Sequence, residues 1–272
     1  MPKGKMFKIR RRVKRVYRYI RVQKPVTRLF GPQYRRSRKF IEIVITYRCN
    51  LRCINCDRSC RQAPTNEQMS VEQIQKFVKE SVDNNVKWER IRVMGGEPTL
   101  HPDIFEILNL LLEYKRNYSP GTRIELCTNG FGKFVNDVLS KVPKEIEVVN
   151  TSKESEVQLF YLFNLAPKDS ILYRYADYTN GCQVISVDGM GLTPYGYYPC
   201  AVAGGIDRIF GFDIGRKKLP PDDDEMRDQL EVFCKLCGHF RAAKRTNCEV
   251  MSPTWEKAYE NYKKRKPKLS LY

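Results

Sequence analysis

The chain has 272 residues and a mass of 31.9 kDa, which is enough for one large domain or for one domain with a small annex. Hydrophobic residues make up 42% of it, the mean hydropathy is −0.54, and no apolar run approaches the roughly 20 residues of a membrane-spanning helix. Ten cysteines are too few for a disulfide scaffold, and no apolar secretory signal follows the basic start. Composition therefore predicts a soluble protein of the reducing cytoplasm, whose cysteines have a role other than disulfide formation.

The net charge of +18 is concentrated at the N-terminus. Residues 1–40 contain 16 Lys and Arg and no acidic residue, which leaves 33 basic and 31 acidic residues in the remaining 232. A smaller basic cluster lies at residues 263–268. Because the body is nearly neutral, the charge alone makes nucleic-acid binding an unlikely function.

The basic arm has the pattern of an amphipathic helix, since its apolar residues recur at intervals of three and four while Lys and Arg fill the other faces. We expect this helix to bind an anionic membrane surface at its periphery. Two alternatives stay open, namely contact with an RNA backbone and packing of the apolar stripe on the body of the protein. The apolar positions are Met6, Ile9, Val13, Val16, Tyr17 and Ile20.

After the arm, apolar periodicity predicts strands that alternate with helices. A capping box formed by Ser70 and Gln73 marks the start of the first helix. The predicted strands cover residues 41–46, 91–94, 124–127 and 146–149, and the predicted helices cover 71–82, 104–112, 134–139 and 157–165.

This β-α alternation predicts parallel strands that close into a partial (β/α) barrel of about five strands. The carboxyl ends of the strands then converge on one mouth, where such barrels place their chemistry. Beyond Cys182 the pattern changes, and Val184–Val187, Gly189–Gly191 and Tyr195–Tyr198 predict a β-hairpin in a small cysteine-rich annex. The predicted fold class is therefore α/β, with a partial barrel followed by a β-hairpin annex.

Three cysteines, Cys49, Cys53 and Cys56, form a C-x3-C-x2-C loop directly after the first strand. Three thiolates in one loop can hold three irons of a cubane cluster and leave the fourth iron open to another ligand. Zinc also binds grouped thiolates, but this loop lacks a fourth zinc ligand, and neither His101 nor His239 is near it in sequence.

The run ITYRCNLRCINC, followed by RVMGGEPTLHPD and then ELCTNG, resembles the radical S-adenosylmethionine (radical SAM) superfamily. The resemblance covers about residues 40 to 150 and implies that the three cysteines ligate a 4Fe-4S cluster whose open iron binds S-adenosylmethionine. One departure is Asn55, which stands where the family usually has an aromatic residue. The positions that the resemblance assigns to cofactor binding are Gly95, Gly96, Glu97, Pro98, Thr128, Asn129 and Ser152.

A physical reason for the two glycines is that a missing Cβ lets the backbone approach a ligand closely. Ser152 follows the fourth strand, where the family often places contacts to the ribose. A polar residue in that position can also simply end a strand.

Four further cysteines resemble the auxiliary-cluster (SPASM/twitch-type) domain that follows the barrel in some radical SAM enzymes, with a pattern similar to that of 2-deoxy-scyllo-inosamine dehydrogenase. The resemblance implies a second, fully ligated 4Fe-4S cluster, and a structural zinc site is the alternative. Of the remaining cysteines, Cys127 is expected in the core, and Cys60 and Cys248 on the surface. The four ligands are Cys182, Cys200, Cys234 and Cys237.

The resemblance implies an oxidoreductase that cleaves S-adenosylmethionine to a 5′-deoxyadenosyl radical, abstracts a hydrogen atom and oxidises a small-molecule or sugar-type substrate. It also implies an electron donor such as flavodoxin or ferredoxin. A peptide-modifying maturase is one alternative, and a zinc-stapled nucleic-acid-binding protein is another. The expected organisation is an arm over residues 1–39, a barrel over 40–180, an auxiliary domain over 181–250 and a basic helix or tail over 251–272. The sequence assigns no catalytic acid or base.

Overall fold

The computed structural model describes residues 12–13, 15–156, 160–241, 245–246 and 249–272. Its longer helices are α1 (Lys24–Phe30), α2 (Val71–Asp83), α3 (Ile104–Asn117), α4 (Lys133–Leu139), α5 (Gln183–Val187), α6 (Ala201–Phe210), α7 (Arg227–Cys234) and α8 (Pro253–Lys264). Its strands are β1 (Phe40–Thr46), β2 (Arg90–Gly95), β3 (Arg123–Thr128), β4 (Glu147–Asn150), β5 (Phe160–Tyr161), β6 (Met190–Thr193), β7 (Gly196–Tyr198) and β8 (Arg245–Thr246). Short 3-10 turns cover Pro98–Leu100, Pro167–Asp169, Ile171–Tyr173, Tyr178–Asn180 and Gly238–Arg241.

A six-stranded sheet with the order β4-β3-β2-β1-β6-β7 forms the centre of the molecule. The first five strands in this order run parallel, and β7 pairs antiparallel with β6. The carboxyl ends of the five parallel strands lie at one edge of the sheet, as the predicted β-α alternation requires. The α/β fold class is confirmed. Four of the five parallel strands lie in the part predicted as the barrel, and the fifth, β6, lies in the part predicted as the annex.

The first three strands present aliphatic side chains to the helices on one face of the sheet. Ile41, Ile43 and Ile45 of β1 belong to a buried core together with side chains of β2, β3, α2 and α3. The capping box of α2 is present, because the Ser70 hydroxyl accepts from the backbone N–H of Gln73 while the Gln73 side chain accepts from that of Ser70. Local sequence signals therefore determine the start of this helix.

The hairpin after Cys182 differs from the predicted one. Residues 184–187 belong to α5, and the hairpin consists of β6 and β7. The helix ends at Val187, and Gly189 follows two residues later. Gly189 has a φ of 96°, and an ideal Cβ on it would lie 2.1 Å from the carbonyl oxygen of Phe40, so this position requires glycine. Because β6 pairs with β1, the hairpin extends the central sheet, and a separate annex stays a prediction.

The predicted helix over residues 157–165 is wrong for the part that the structure describes. Phe160–Tyr161 is a short strand that pairs antiparallel with Arg245–Thr246. Distant residues hold the segment that follows. The carbonyl oxygen of Phe163 accepts a hydrogen bond from Gly238 N at 2.8 Å, and the centre of the Phe163 ring lies 4.7 Å from that of the Trp255 ring. These tertiary contacts override the local apolar period.

Residues 15–21 of the arm are helical, as expected, while Met6 and Ile9 lie outside the described residues. At the other end of the chain, the predicted basic helix is α8, and the tail after it returns to the sheet. Tyr272 N donates to the carbonyl oxygen of Pro194 at 2.9 Å. Among the described residues, no helix has both the length and the apolar character needed to cross a membrane.

Candidate functional site

The first cysteine loop begins three residues after the end of β1 and lies at the mouth of the sheet. Cys53 and Cys56 are buried with Leu51 in a small apolar cluster, and Cys49 and Phe131 pack against it. The structure thus brings together the three thiols that the sequence predicted as ligands.

A fourth thiol, Cys60, belongs to the same cluster, which corrects its predicted surface position. Hydrogen bonding with Cys60 is the main cause that lowers the pKa of Cys49 and of Cys56, and the same bonds raise the pKa of Cys60. A lowered pKa favours the thiolate form that binds metal. The chain turns after Cys56, where Ser59 N donates to the carbonyl oxygen of Cys56 at 2.8 Å. The spacing of four residues between Cys56 and Cys60 is close to one helical turn, and it was the sequence signal that Cys60 lies beside the other thiols.

The two glycines at the end of β2 bring that strand against the start of the cysteine loop. Gly96 N donates to the carbonyl oxygen of Thr46 and Glu97 N to that of Arg48, both at 2.8 Å. A Cβ on Gly95 would lie 2.4 Å from the Thr46 oxygen, and one on Gly96 would lie 2.2 Å from the Arg48 oxygen. The close approach that requires glycine in this structure is between two strand ends, and the expected approach of the backbone to a ligand stays a prediction.

Glu97 connects the ends of β2 and β3. Its fully buried carboxylate accepts from the hydroxyl of Thr128 and from the backbone N–H of Asn129, both at 2.8 Å. It also accepts from the backbone N–H of Thr99 at 3.2 Å and from the Thr99 hydroxyl at 2.8 Å. Glu97, Thr128 and Asn129, which the sequence predicted separately, thus form one hydrogen-bonded group. Pro98 is buried at the start of the adjoining 3-10 turn.

Asn129 extends this group to the cysteine loop, since its side-chain amide donates to Oδ1 of Asn50 at 2.8 Å. Asn50 in turn donates to the carbonyl oxygen of Phe131 at 2.7 Å. Ser152 lies apart from these contacts: it is exposed, has a φ of 43°, and its backbone N–H donates to Asn150 Oδ1. The mouth is therefore built from the ends of β1, β2 and β3, with Ser152 at its rim.

Asn55 fills the position where the family usually has an aromatic residue. Its φ is 55°, a left-handed conformation that asparagine tolerates better than most residues. The side chain is fully buried, and its Oδ1 accepts from Val250 N at 3.4 Å. This residue therefore anchors a distant segment against the loop.

A row of charged residues crosses the other face of the sheet, opposite the helices. Glu42, Arg92 and Glu125 are register partners on β1, β2 and β3. Arg92 lies 3.2 Å from Glu42 and 2.7 Å from Glu125, and Arg58 of the cysteine loop lies 3.4 Å from Glu42. Burial is the main cause that raises the pKa of Glu42 to about 6.

No prediction from the sequence covers this row, although the strands carry a signal for it. Each charged residue stands between two apolar residues of a strand, as Glu42 does between Ile41 and Ile43. Strict alternation in a strand means that its two faces differ. Cys127 follows Glu125 by two residues on the same face, and burial raises its pKa to about 12.

All four cysteines of the second set line a single cavity. Cys182 precedes α5, Cys200 precedes α6, Cys234 ends α7, and Cys237 lies in the turn after it. The other lining residues are mostly apolar, among them Phe233 and Phe240. Burial is the main cause that raises the pKa of every thiol in this set, to about 12 for Cys200.

His239 also lines this cavity, and its Nδ1 lies 3.4 Å from Sγ of Cys237. His239 has no predicted role in a site, although it follows Cys237 by only two residues. Within the described ranges, no group of three His, Cys, Asp or Glu side chains is arranged to hold a single metal ion. Cys248 lies outside the described residues.

The two cysteine sets are joined through α6. This helix starts directly after Cys200. Its Gly205 faces the backbone that follows Cys56, because an ideal Cβ on Gly205 would lie 3.4 Å from the carbonyl oxygen of Asp57. The buried Arg208 of the same helix donates to the carbonyl oxygens of Arg58 and Ser59. The loop that carries Cys56 and the wall that carries Cys200 are thus in direct contact.

Comparison with known proteins adds a family match over the same part of the chain. Residues 43–149 match the family model of the radical SAM superfamily. This range contains the first cysteine loop, the two glycines and the Thr128–Asn129 pair. It does not include the second cysteine set.

Curated relatives match over a similar part of the chain. A GTP 3′,8-cyclase of Aliarcobacter butzleri is 30% identical over 110 residues, which cover 40% of this chain and 30% of that protein. A GTP 3′,8-cyclase of Desulforamulus reducens is 30% identical over 139 residues, which cover 48% of this chain and 41% of that protein. The chain therefore spans less than half of the length of these relatives.

Among solved structures, a crystal structure of BtrN in complex with AdoMet and 2-DOIA is similar over 79% of this chain and 95% of that one, with 15% identity and a TM-score of 0.42. A crystal structure of BtrN in an open conformation covers 75% of this chain and 84% of that one, with 16% identity and a TM-score of 0.37.

Proposed function

We propose that the chain, whose residues 43–149 match the radical SAM family model as the sequence predicted, is a radical SAM enzyme that oxidises a small polar substrate. In this proposal the substrate loses a hydrogen atom to a 5′-deoxyadenosyl radical derived from S-adenosylmethionine, a proton to a protein carboxylate and an electron to a second cluster. These losses together convert a C–H and O–H pair into a carbonyl group.

The first loop supplies a donor set that suits a 4Fe-4S cluster with one open iron. Cys49, Cys53 and Cys56 would hold it, because their thiols are gathered in one buried cluster at the mouth. The Glu97 carboxylate fixes the positions of Thr128 and Asn129 beside that loop. These residues would position S-adenosylmethionine, with Ser152 as a further candidate at the rim.

The observation that carries the proposal is the second cavity. Four cysteines, separated by up to 55 residues of sequence, line it together, and its wall touches the loop that contains Cys56. Four thiols ligate all irons of a 4Fe-4S cluster, which suits a group that accepts an electron. Contact between α6, which starts after Cys200, and the backbone after Cys56 would keep the electron path short.

The charged row that crosses the second face of the sheet supports a polar substrate. Glu42 and Glu125 are buried, while Arg92 and Asp188 remain partly accessible, and all four belong to one ion-paired group. Such a group can bind hydroxyl or amino functions of a sugar-type substrate, and its carboxylates can accept the proton. The substrate of the GTP 3′,8-cyclases is not carried over, because the match covers less than half of those proteins.

Two other functions differ from this proposal in their expected substrate or metal content. A peptide-modifying maturase would have the same two clusters and would differ only in its substrate. A zinc-stapled nucleic-acid-binding protein would contain zinc and no sulfide. A reduced flavodoxin or ferredoxin would be the electron donor for the first two, and a cytoplasmic location fits that requirement.

Metal and cofactor analysis tests the proposal directly. Anaerobically purified protein should contain about eight irons and about eight sulfides, and with dithionite it should cleave S-adenosylmethionine to methionine and 5′-deoxyadenosine. Replacing Cys49, Cys53 and Cys56 by Ala should abolish cleavage. Replacing Cys234 and Cys237 by Ala should remove about four irons. Cys127→Ala is the matched control, since Cys127 lies outside both sets.

The outcomes separate the functions. Zinc without sulfide would overturn the proposal as a whole. An unchanged iron content in the Cys234 and Cys237 variant would overturn the second cluster and leave the first in place. Incubation with polyols and amino sugars in D2O, followed by mass spectrometry of product and 5′-deoxyadenosine, should identify an oxidised substrate, whereas turnover of peptides alone would favour the maturase.

A further inference from the structure

The helix at residues 15–21 lies on the body with its apolar stripe facing outward. Val16, Tyr17 and Ile20 are exposed, whereas Arg18 is only 6% exposed. A helix that merely packs on a protein buries its apolar face and exposes its charges. The described part of this helix does the reverse, so packing of its apolar stripe on the body does not account for that stripe.

Arg18 fixes this orientation. Its guanidinium donates to the carbonyl oxygen of Gly181 and to Oε1 of Gln33, and it lies 4.9 Å from the ring centre of Phe240. Neighbouring residues support the same face, since Val22 is fully buried and the ring of Tyr19 lies 5.9 Å from that of Tyr173. Rotating the helix to bury its stripe would therefore break the hydrogen bonds of the buried Arg18 guanidinium.

Exposed apolar residues continue from this helix onto two adjoining segments. Leu29 and Phe30 at the end of α1 are 76% and 68% exposed, and Ile171 is 82% exposed. The segments are joined by a hydrogen bond of 3.0 Å from Lys24 N to the carbonyl oxygen of Tyr175. We call this set the N-terminal apolar surface: Val13, Val16, Tyr17, Ile20, Leu29, Phe30, Ile171, Leu172 and Tyr175.

Basic residues are interleaved with the N-terminal apolar surface. The guanidinium of Arg21 lies 5.9 Å from the ring centre of Phe30, and that of Arg174 lies 5.6 Å from the ring centre of Tyr175. Arg12, Lys24 and Arg28 are exposed on the same segments. No acidic residue occurs anywhere in residues 1–40, so no carboxylate of that segment offsets these charges.

We infer that the N-terminal apolar surface binds an anionic lipid membrane, with its apolar side chains in the interface and its Arg and Lys side chains on the lipid phosphates. Exposed aliphatic and aromatic residues gain free energy when they leave water for the interface, and each basic residue near an anionic surface adds to the attraction. A nucleic-acid backbone would use the charges but would leave Leu29, Ile171 and Val16 in water. This inference does not depend on the proposed function.

Vesicle binding by the full-length holoprotein tests the inference. The protein should sediment with phosphatidylcholine vesicles that contain phosphatidylglycerol, less with vesicles of phosphatidylcholine alone, and less again as salt is added. The double variant Leu29→Ser and Phe30→Ser should reduce binding by about tenfold or more. Phe134→Ser is the matched control, because Phe134 is 61% exposed on α4, outside the N-terminal apolar surface.

A second pair of variants separates local charge from total charge. The triple variant Arg12→Gln, Lys24→Gln and Arg28→Gln should weaken binding to anionic vesicles more than Lys263→Gln, Lys264→Gln and Arg265→Gln, which removes the same charge at the other end of the chain. Equal binding to neutral vesicles, equal loss in both triple variants or no loss in the Leu29 and Phe30 variant would overturn the inference. Iron content should be unchanged in every variant, which separates this test from that of the enzyme.

Discussion

The guanidinium of Arg208 donates a hydrogen bond of 2.9 Å to the backbone carbonyl oxygen of Arg58, two residues after Cys56. Arg208 also donates to the carbonyl oxygens of Ser59 (3.2 Å) and Ala63 (2.8 Å), and it lies 4.3 Å from the ring centre of Tyr47. One buried cation on α6 thus satisfies the backbone of the chain that follows the first cysteine loop. The side chain is a positioning group that joins the two cysteine sets.

Replacing Arg208 by Met should destabilise the protein and weaken cluster retention. The three carbonyl oxygens would stay buried without a charged donor, which should cost about 3 kcal/mol or more in the free energy of unfolding. Urea denaturation and iron analysis after gel filtration measure the two effects. Arg265→Met, at an exposed position, should change stability by less than about 0.5 kcal/mol. Equal losses in both variants would contradict the positioning role.

Gly96→Ala should be strongly unfavourable, because its Cβ would lie 2.2 Å from the carbonyl oxygen of Arg48. Separating the two strand ends should cost roughly 1–3 kcal/mol and displace the start of the cysteine loop. Gly121→Ala is the control, since nothing lies within 4 Å of a Cβ at that turn. Thermal denaturation of the two variants should differ clearly, and identical melting temperatures would refute the close approach.

Glu97→Gln should disturb the mouth of the sheet while keeping the side-chain volume. Oε2 of Glu97 accepts from Asn129 N at 2.8 Å, and an amide nitrogen in its place would oppose one donor with another. We expect a loss of about 1–3 kcal/mol in the free energy of unfolding and slower cleavage of S-adenosylmethionine. Glu106→Gln on the exposed face of α3 should leave both unchanged. Wild-type stability in the Glu97 variant would show that the carboxylate is not needed there.

Glu42 should make stability depend on pH in the acidic range. Its pKa is raised from 4.5 to about 6 in the folded state, chiefly by burial, so the unfolded chain loses this proton first as the pH rises. Ionisation therefore lowers the stability of the folded state, by about 2 kcal/mol once the pH exceeds 6. The difference in unfolding free energy between wild type and Glu42→Gln should fall by about 2 kcal/mol between about pH 3.5 and about pH 7, with the steepest change between the two pKa values. A difference that is constant across this range would contradict the raised pKa.

Local sequence signals determined most of the sheet and the first cysteine loop. The apolar period from Ile41 to Thr46, the capping box at Ser70 and the glycines after Met94 each depend on neighbours within a few residues. Such signals specify where strands and helices begin and end. The motifs that resemble the radical SAM superfamily follow successive strands. Local sequence signals were therefore enough for the radical SAM prediction.

Only the tertiary structure decided which distant residues meet. It placed the four cysteines of the second set around one cavity, brought Cys60 to Cys49, and aligned Glu42 with Arg92 and Glu125 across the sheet. It also turned the apolar stripe of the N-terminal helix outward by burying Arg18. The physical reason is the same in each case. Register, burial and ion pairing depend on partners that are far away in sequence, and the periodicity of apolar residues along the chain does not identify those partners.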